Sequence, residues 1–326
     1  MIAACQHCEQ PVTVELGGHG GLFRCPGCRS LNVLFQRSSN GAIEFGDYLV
    51  FHEVGQGANA LVCKAEKRST GETVALKLFY SETEADTLST REFLRENDFS
   101  QGIEHPNIVR TQAGGECDGI LYLELEFVNG LNLAEFLEEY GRFGIDEALG
   151  VAEHVCRALD FVWSHHLMIH RDVKPQNVMI DAEGNVKVCD FGMVTAHEMA
   201  MVDINAVEGT PYYLSPECVT DGSYQDNRSD IYSLGTTLFH IIAGEPPFNY
   251  DTLEEVVYAR VRQEPQDIRE FVPEASADLA ALLKTMMARD PDDRYVTAFE
   301  CLDDISKVRR GETPTLVDKN RLKVNQ

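Results

Sequence analysis

Four polar residues that lie close together in the chain could carry out phosphoryl transfer. Asp172, Lys174 and Asn177 lie within one six-residue stretch, and Asp190 follows Asn177 by thirteen residues. In this chemistry a carboxylate orients the attacking hydroxyl group, a lysine faces phosphate oxygens, and Asn and Asp side chains hold Mg²⁺. We therefore assign Asp172 as the catalytic base, Lys174 as a phosphate-facing catalytic residue, and Asn177 and Asp190 as Mg²⁺ ligands.

The two motifs that contain these residues, His-Arg-Asp and Asp-Phe-Gly, are far more specific together than either is alone. With the segments 209–217, 229–235, 246–248 and 290–295, they make the chain resemble the eukaryotic-like Ser/Thr protein kinases of bacterial type over residues 46 to about 310. The resemblance implies an α+β, two-lobed protein kinase fold, with a small lobe at 46–128 and a large lobe at 129–310. It also implies that Glu217 and Arg294 form a buried ion pair.

The predicted small lobe carries segments that resemble the ATP-binding elements of this family. A Gly-x-Gly pattern resembles the loop that folds over ATP, where missing side chains let backbone amides approach phosphate oxygens. Ala60 stands where the family has a third glycine, and Lys77 resembles the lysine that pairs with the α and β phosphates. The residues assigned to ATP binding in this region are Gly55, Gly57, Val62, Ala75 and Lys77.

A kinase lysine needs a glutamate from the following helix to hold it in place. Glu84, Glu92 and Glu96 are the candidates, and the family places this glutamate about ten residues before the proline of an HPNIV segment. That spacing favours Glu96 as the catalytic partner of Lys77, ahead of Glu92, which lies one helical turn earlier.

Residues 121–126 alternate apolar and acidic side chains with a period of two, and an Asn-Gly turn follows at 129–130. The pattern predicts a strand that ends in a turn. By resemblance this is the last strand of the small lobe and the hinge, with Leu125 as gatekeeper. The backbones of Glu126 and Val128 are then expected to face the adenine of ATP.

Two features favour serine and threonine of a polypeptide as the acceptor. Lys174 lies two residues after Asp172, as in Ser/Thr-specific members, and Thr210 resembles the threonine that binds the catalytic aspartate and lysine. Small-molecule kinases of related fold generally lack a segment like 209–217, so its presence indicates protein substrates.

Four cysteines near the start of the chain form two Cys-x-x-Cys pairs. Cys5 and Cys8 are separated from Cys25 and Cys28 by sixteen residues, a spacing that suits one tetrahedral Zn²⁺ held by four thiolates. We predict a small β zinc ribbon at residues 1–36, with strands at 12–14 and 22–23 joined by a glycine-rich hairpin. A redox dithiol pair is the alternative. The ribbon has as many cations as acids, so a protein partner or a stabilising role is favoured and nucleic acid is not.

The net charge of −25 falls almost entirely on the predicted kinase domain. Such a surface repels nucleic acids and membranes, and it either favours basic substrates or only keeps the protein solvated. The chain opens without a signal-peptide pattern and has no apolar run that could span a membrane, so we expect a cytoplasmic protein.

The remaining segments are a polar linker at 37–45, between the ribbon and the kinase domain at 46–310, and a tail at 311–326 predicted to be flexible. Thr313 and Thr315 resemble tail threonines that such kinases autophosphorylate, with a tail of no special role as the alternative. By resemblance, residues 193–208 form the activation segment. Related kinases often carry a regulatory threonine four residues before Thr210, where this chain has Ala206. In kinases with His-Arg-Asp, the arginine, here Arg171, usually binds a phosphate on this segment. We hypothesise that the Arg171 guanidinium instead pairs with the carboxylate of Asp203 or Glu208, or with neither, so that activity needs no phosphorylation of the segment. The alternative is that phosphorylation of Thr195 or of Thr210 switches the activity on.

Two function classes follow from these residues. The first is an active Ser/Thr protein kinase that uses ATP and Mg²⁺. The second is a pseudokinase or scaffold that acts through its zinc ribbon. Retention of Lys77, Asp172, Asn177 and Asp190 favours the active enzyme, because a scaffold does not need these groups.

Overall fold

The structure is a computed structural model that describes residues 2–5, 7–13, 22–28, 30–33, 43–57, 60–79, 87–100, 102–196, 212–220 and 224–315. The backbone packs as two compact units. The first consists of Met1–Glu104 and Val109–Val128, and the second consists of His105–Ile108 and Asn129–Gln326. The chain passes into the second unit for good after Val128.

The first unit begins with two small antiparallel hairpins, which we call the cysteine ribbon. Strand β1 (Ile2–Ala4) pairs with β2 (Pro11–Thr13), and β3 (Leu22–Arg24) pairs with β4 (Leu31–Val33). Each Cys-x-x-Cys pair forms the turn of its own hairpin, because the amides of Cys5 and Cys25 donate to the carbonyls of Gln10 and Ser30, both at 2.9 Å. The described strands therefore pair across each knuckle, not between knuckles as expected. The glycine-rich stretch predicted as the hairpin lies outside the described residues.

A six-stranded antiparallel sheet forms the main part of the first unit, in the order β5-β6-β7-β8-β10-β9. Its strands are β5 (Ile43–Phe45), β6 (Tyr48–Gln56), β7 (Ala60–Lys67), β8 (Thr73–Phe79), β9 (Thr111–Cys117) and β10 (Ile120–Glu126), and helix α1 (Thr87–Ser100) belongs to the same unit. Strand β5 lies within the stretch that the sequence assigns to the linker. It joins the sheet because the Phe45 side chain is fully buried and makes ring contacts with Tyr48 and Tyr122.

Helices dominate the second unit. They are α2 (Leu133–Tyr140), α3 (Ile145–His166), α4 (Asn227–Ala243), α5 (Leu253–Arg262), α6 (Ile268–Phe271), α7 (Ala277–Met286) and α8 (Ala298–Arg309). The short strands are β11 (Gly130–Asn132), β12 (Met168–Ile169), β13 (Val178–Asp181), β14 (Val186–Val188) and β15 (Thr195–Ala196), of which β12 pairs with β15 and β13 lies between β11 and β14. The α+β class predicted from the sequence is confirmed.

Helix α4 is the buried central helix of the second unit. Almost every side chain from Asn227 to Ile242 is buried, and Asp226 caps the first turn by accepting from the amide of Arg228. A Cβ on Gly235 would lie 2.8 Å from the Cβ of Met286. The glycine thus lets α4 pack closely on α7. No helix in the described ranges is both long and apolar enough to cross a membrane.

Candidate functional site

The first unit brings Lys77 and Glu96 together, as the sequence favoured. The Nζ atom of Lys77 lies 2.6 Å from Oε2 of Glu96, and both residues are about 5% exposed or less. Lys77 projects from β8 and Glu96 from α1, whereas Glu92 lies half-buried one turn earlier and Glu84 lies outside the described residues. A buried ion pair with this geometry holds the ammonium group of Lys77 in one place.

The other small-lobe residues assigned to ATP lie on the strands around Lys77. Val62 is the cross-strand partner of Lys77, and Ala75 lies two residues before it on β8. Gly55 pairs with Val62 near the end of β6, and the amide of Gly57 donates to the carbonyl of Ala60 at 2.8 Å. The tip of this loop, residues 58 and 59, is outside the described ranges.

Of the predicted hinge residues, Glu126 ends strand β10 and Val128 follows it. The amide of Glu126 donates to the carbonyl of Arg110 at 2.9 Å, and the amide of Arg110 donates to Oε1 of Glu126 at 2.8 Å. The amide of Glu126 is therefore already bound within the unit. Val128 is buried, with 8% of its surface exposed.

In the second unit, Asp230 fixes the loop that carries Asp172. Its Oδ2 and Oδ1 atoms accept from the amides of His170 and Arg171, each at 2.8 Å. Arg171 has a φ of +69°, which is uncommon for a residue with a side chain. The two hydrogen bonds from the first turn of α4 stabilise this bend, and the bend leads directly into Asp172.

His170 joins the same loop to the residue before Asp190. Its Nδ1 accepts from the amide of Asp172 at 3.2 Å, and its Nε2 lies 3.2 Å from the carbonyl oxygen of Cys189. Since a carbonyl can only accept, the proton of the neutral ring is on Nε2. The ring also packs against Phe191, with 4.6 Å between centroids. His170 thus positions the loop and the Asp-Phe-Gly segment relative to each other.

Asp172, Lys174 and Asn177 form one cluster, as predicted. Nζ of Lys174 lies 2.7 Å from Oδ2 of Asp172, and Nδ2 of Asn177 donates to the carbonyl and to Oδ2 of Asp172, both at 2.8 Å. A short 3-10 helix at Pro175–Asn177 turns the Asn177 side chain back onto the loop. Because the amide nitrogen of Asn177 is bound to Asp172, its amide oxygen is the atom that can face a cation.

Asp190 lies close by along the backbone, because the amide of the preceding Cys189 donates to the carbonyl of Asn177 at 2.9 Å. Asp190 has a φ of +64° and is half-buried, whereas the next residue, Phe191, is buried. An aspartate in this strained backbone region is a feature of functional sites. A carboxylate and an amide oxygen are donor types that suit Mg²⁺.

The predicted pair of Glu217 and Arg294 is confirmed. Two parallel hydrogen bonds of 2.7 and 2.8 Å join the guanidinium to the carboxylate, and Ser229 Oγ donates to Glu217 at 2.7 Å. Burial by itself would raise the pKa of Glu217, but the hydrogen bonds and the charge of Arg294 lower it overall. The pair anchors the end of the segment that begins in the undescribed stretch 197–211.

Arg171 has a partner that the sequence reasoning missed. Its Nε donates to Oε1 of Gln225 at 3.0 Å, and Gln225 is almost completely buried. The carboxylates considered as partners, Asp203 and Glu208, and the threonine at 210 lie outside the described residues. Nothing local marks Gln225, because it lies 54 residues away in the chain.

The four ribbon cysteines are brought together. The sulfur atoms of Cys5, Cys8, Cys25 and Cys28 all lie within 4.8 Å of one another. The distances are 3.5 Å from Cys5 to Cys28 and 3.7 Å from Cys8 to Cys25. A tetrahedral site with Zn–S bonds of about 2.3 Å requires sulfur atoms about 3.8 Å apart, so the cluster fits this metal. The hydroxyl of Ser30, which the sequence reasoning missed, lies 2.9 Å from the sulfur of Cys28.

His7, which lies between Cys5 and Cys8 in the chain, is not part of this cluster. Its Nε2 atom is 3.3 Å from Oε2 of Glu53 on β6. Both side chains are partly exposed, so the contact contributes little to stability. It does place the first knuckle beside the strand that leads to Gly55.

Comparison with known proteins agrees with this arrangement. Residues 48–304 match the protein kinase domain. The chain is similar to serine/threonine-protein kinase PrkC of Bacillus subtilis, with 33% identity over 261 residues that cover 80% of this chain and 40% of that protein. It is 36% identical over 248 residues to serine/threonine-protein kinase PknB of Mycobacterium tuberculosis, covering 74% of this chain and 39% of that protein.

A third relative is the probable serine/threonine-protein kinase PknB of Lactococcus lactis, which is 32% identical over 286 residues, covering 86% of this chain and 45% of that protein. The chain thus spans about two fifths of the length of the relatives it matches. The match to the domain family covers well over half of the chain, and it includes the loops that carry Asp172 and Asp190. The chain therefore belongs to the protein kinase domain family.

Proposed function

We propose that the protein is a Ser/Thr protein kinase that transfers the γ-phosphate of ATP to hydroxyl groups of protein substrates. The observation that carries the proposal is the cluster in which the Asp172 carboxylate is bound by both Lys174 and Asn177. A carboxylate held in this way can accept a hydrogen bond from a substrate hydroxyl and take its proton during transfer. Lys174, which contacts the same carboxylate, would face an oxygen of the phosphate that is being transferred.

The family implies ATP and Mg²⁺, and this chain has the residues to hold them. The Mg²⁺ complex of ATP supplies the phosphoryl group when bound. We assign Asn177 and Asp190 to the metal, and Lys77, fixed by Glu96, to the nucleotide phosphates. Gly55, Gly57, Val62 and Ala75 and the backbones of Glu126 and Val128 are assigned to the nucleotide.

Incubation of the purified protein with Mg²⁺ and γ-labelled ATP tests this function without a known substrate. We expect label on serine and threonine of the protein itself or of a generic basic protein, and none when Mg²⁺ is omitted. Nucleotide binding without any transfer would instead favour the pseudokinase alternative, which no observation on the structure supports.

We further propose that the cysteine ribbon holds one structural Zn²⁺ ion through Cys5, Cys8, Cys25 and Cys28. The support is the fit of the four sulfur atoms to a tetrahedral thiolate site. Two short hairpins with three-residue strands bury too little apolar surface to be stable alone, so a metal would supply much of their folding free energy. The ribbon is then a stable module that can bind a protein partner.

A further inference from the structure

The backbone just before the Glu217 anchor is held by side chains and not by a neighbouring strand. Three consecutive carbonyl groups, those of Tyr212, Tyr213 and Leu214, each accept a hydrogen bond from a helix of the second unit. Ser233 on α4 donates to the carbonyl of Tyr213 at 2.9 Å. Arg260 on α5 donates to the other two, with one terminal nitrogen to Tyr212 and the other to Leu214.

Arg260 lies in an unusual place for a cation, because its side chain is completely buried. Within the described part of the chain its partners are the two carbonyl groups and two ring faces. The guanidinium lies 5.6 Å from the ring centre of Tyr232 and 5.5 Å from that of Phe248. Ring faces and carbonyl dipoles offset part of the cost of removing the charge from water.

Helix α5 also contacts the side chain of Tyr212. Its ring packs against a small apolar cluster made by Phe248, Val256 and Ala259. Val256 and Ala259 lie on the buried face of α5, which also carries Arg260. Side chain and backbone of the segment are thus attached to α5 together. An apolar residue at position 260 could pack in the same place, but it could not bind the two carbonyl groups.

We propose that Arg260 is a positioning residue that fixes the backbone of residues 212–214 for the binding of a polypeptide substrate. The proposal deepens the proposed kinase function and rests on it, because residues 212–214 belong to the segment 209–217, whose presence favours a polypeptide acceptor. The planar fork of arginine can hold two carbonyl oxygens at a fixed separation. A lysine would bind one of them at a time, so the charge alone does not supply this role.

Initial-rate kinetics on the full chain test the proposal, with a Ser/Thr peptide and ATP varied in turn. Arg260→Met should raise KM for the peptide about tenfold, and Arg260→Lys should raise it less, because one hydrogen bond is kept. KM for ATP and the rate of ATP hydrolysis without peptide should stay within about twofold of wild type. The matched control is Arg262→Met, which removes an exposed arginine from the same helix and should leave every constant unchanged.

Amide hydrogen exchange supplies a second measurement on the same proteins. Arg260→Lys should exchange faster at residues 212–214 than Arg262→Met does, while exchange in α4 stays the same. If Arg260→Met does not fold, the lysine variant decides through its peptide KM and its exchange. A peptide KM equal to that of the control overturns the inference, and so does an equal rise of KM for peptide and ATP. Failure of the wild-type protein to transfer phosphate under any condition would overturn the proposed function itself.

Discussion

The Asp172 carboxylate has two partners with different chemical character. Lys174 provides a positive charge at 2.7 Å, whereas Asn177 provides a neutral amide that also binds the Asp172 carbonyl. An asparagine at position 172 could keep the second contact and the shape of the loop. It could not accept a proton from a substrate.

Asp172→Asn should therefore lower kcat by a factor of about 10² to 10⁴ and leave ATP affinity nearly unchanged. Asp190→Asn should weaken Mg²⁺-dependent ATP binding as well as turnover, because it removes a proposed metal ligand. Radiolabel transfer and calorimetric ATP titration, each with and without Mg²⁺, check the pair. Normal turnover in the first variant, or normal Mg²⁺-dependent affinity in the second, would contradict the assignments.

Arg171 is oriented by a neutral, buried amide at residue 225. In related kinases this arginine binds a phosphate on the activation segment. Here Gln225 already holds one edge of the guanidinium. We predict that phosphatase-treated enzyme keeps most of its initial rate, measured before it can rephosphorylate itself, and that Gln225→Leu lowers this rate severalfold.

The outcome against that prediction is a lag after phosphatase treatment that disappears on preincubation with ATP. Loss of the lag in Thr195→Ala would then identify that threonine as the switch.

Among the elements, the ribbon hairpins are built from strands of only three residues. With a metal-dependent fold, protein purified without chelator should contain about one zinc per chain, measured by elemental analysis. The double variant with Cys25→Ser and Cys28→Ser should contain none. Cys117→Ser, outside the ribbon, should keep the metal. Zinc retained in the double variant, or absent from fully reduced wild-type protein, would rule out the site.

The Glu217–Arg294 pair joins the short 3-10 helix Pro216–Val219 to the segment before α8. Glu217→Gln leaves the Arg294 charge buried without its partner and should lower the free energy of unfolding by about 3–5 kcal/mol. Because the folded-state pKa of Glu217 is lowered, the carboxylate stabilises the fold above the ordinary carboxyl pKa of 4.5 and loses this effect as the pH falls through the folded value.

Chemical denaturation across pH tests this prediction. The difference between wild type and Glu217→Gln should shrink as the pH is lowered below 4.5. Glu264→Gln is the control, since Glu264 forms a half-exposed pair with Arg289 and should change stability little at any pH. A Glu217→Gln difference that does not depend on pH would show that packing and not charge is responsible.

The sequence could predict those features whose residues lie close together in the chain, and it could not predict those that depend on residues far apart. The proximity of Asp172, Lys174 and Asn177 could be predicted because all three lie in one short loop, and the pairing of Glu96 with Lys77 could be predicted from the distance of Glu96 to a motif. The pairing of the ribbon strands, the joining of Ile43–Phe45 to the sheet and the contacts of Gln225 and Arg260 depend on tertiary packing. Those partners lie tens of residues apart, and a buried glutamine or arginine has no local pattern that marks it.

At the scale of the whole molecule, the charge of −25 should act on substrates at a distance. We predict that KM for a lysine-rich and arginine-rich peptide rises severalfold between about 20 and 300 mM salt, because added ions screen the attraction. A neutral peptide with the same acceptor residue is the control. Equal salt dependence for both peptides would show that the acidic surface serves solvation only.

Strand β5 also limits how far the ribbon can reach. Only residues 34–42 separate β4 from β5, and β5 is paired with β6 along its whole length. Ten backbone steps span at most about 36 Å, so the end of β4 stays within that radius of the sheet edge. One molecule confined to such a volume has a local concentration on the order of millimolar. A protein captured by the ribbon would thus meet the rest of the chain far more often than a free one, even if its affinity for the kinase units were weak.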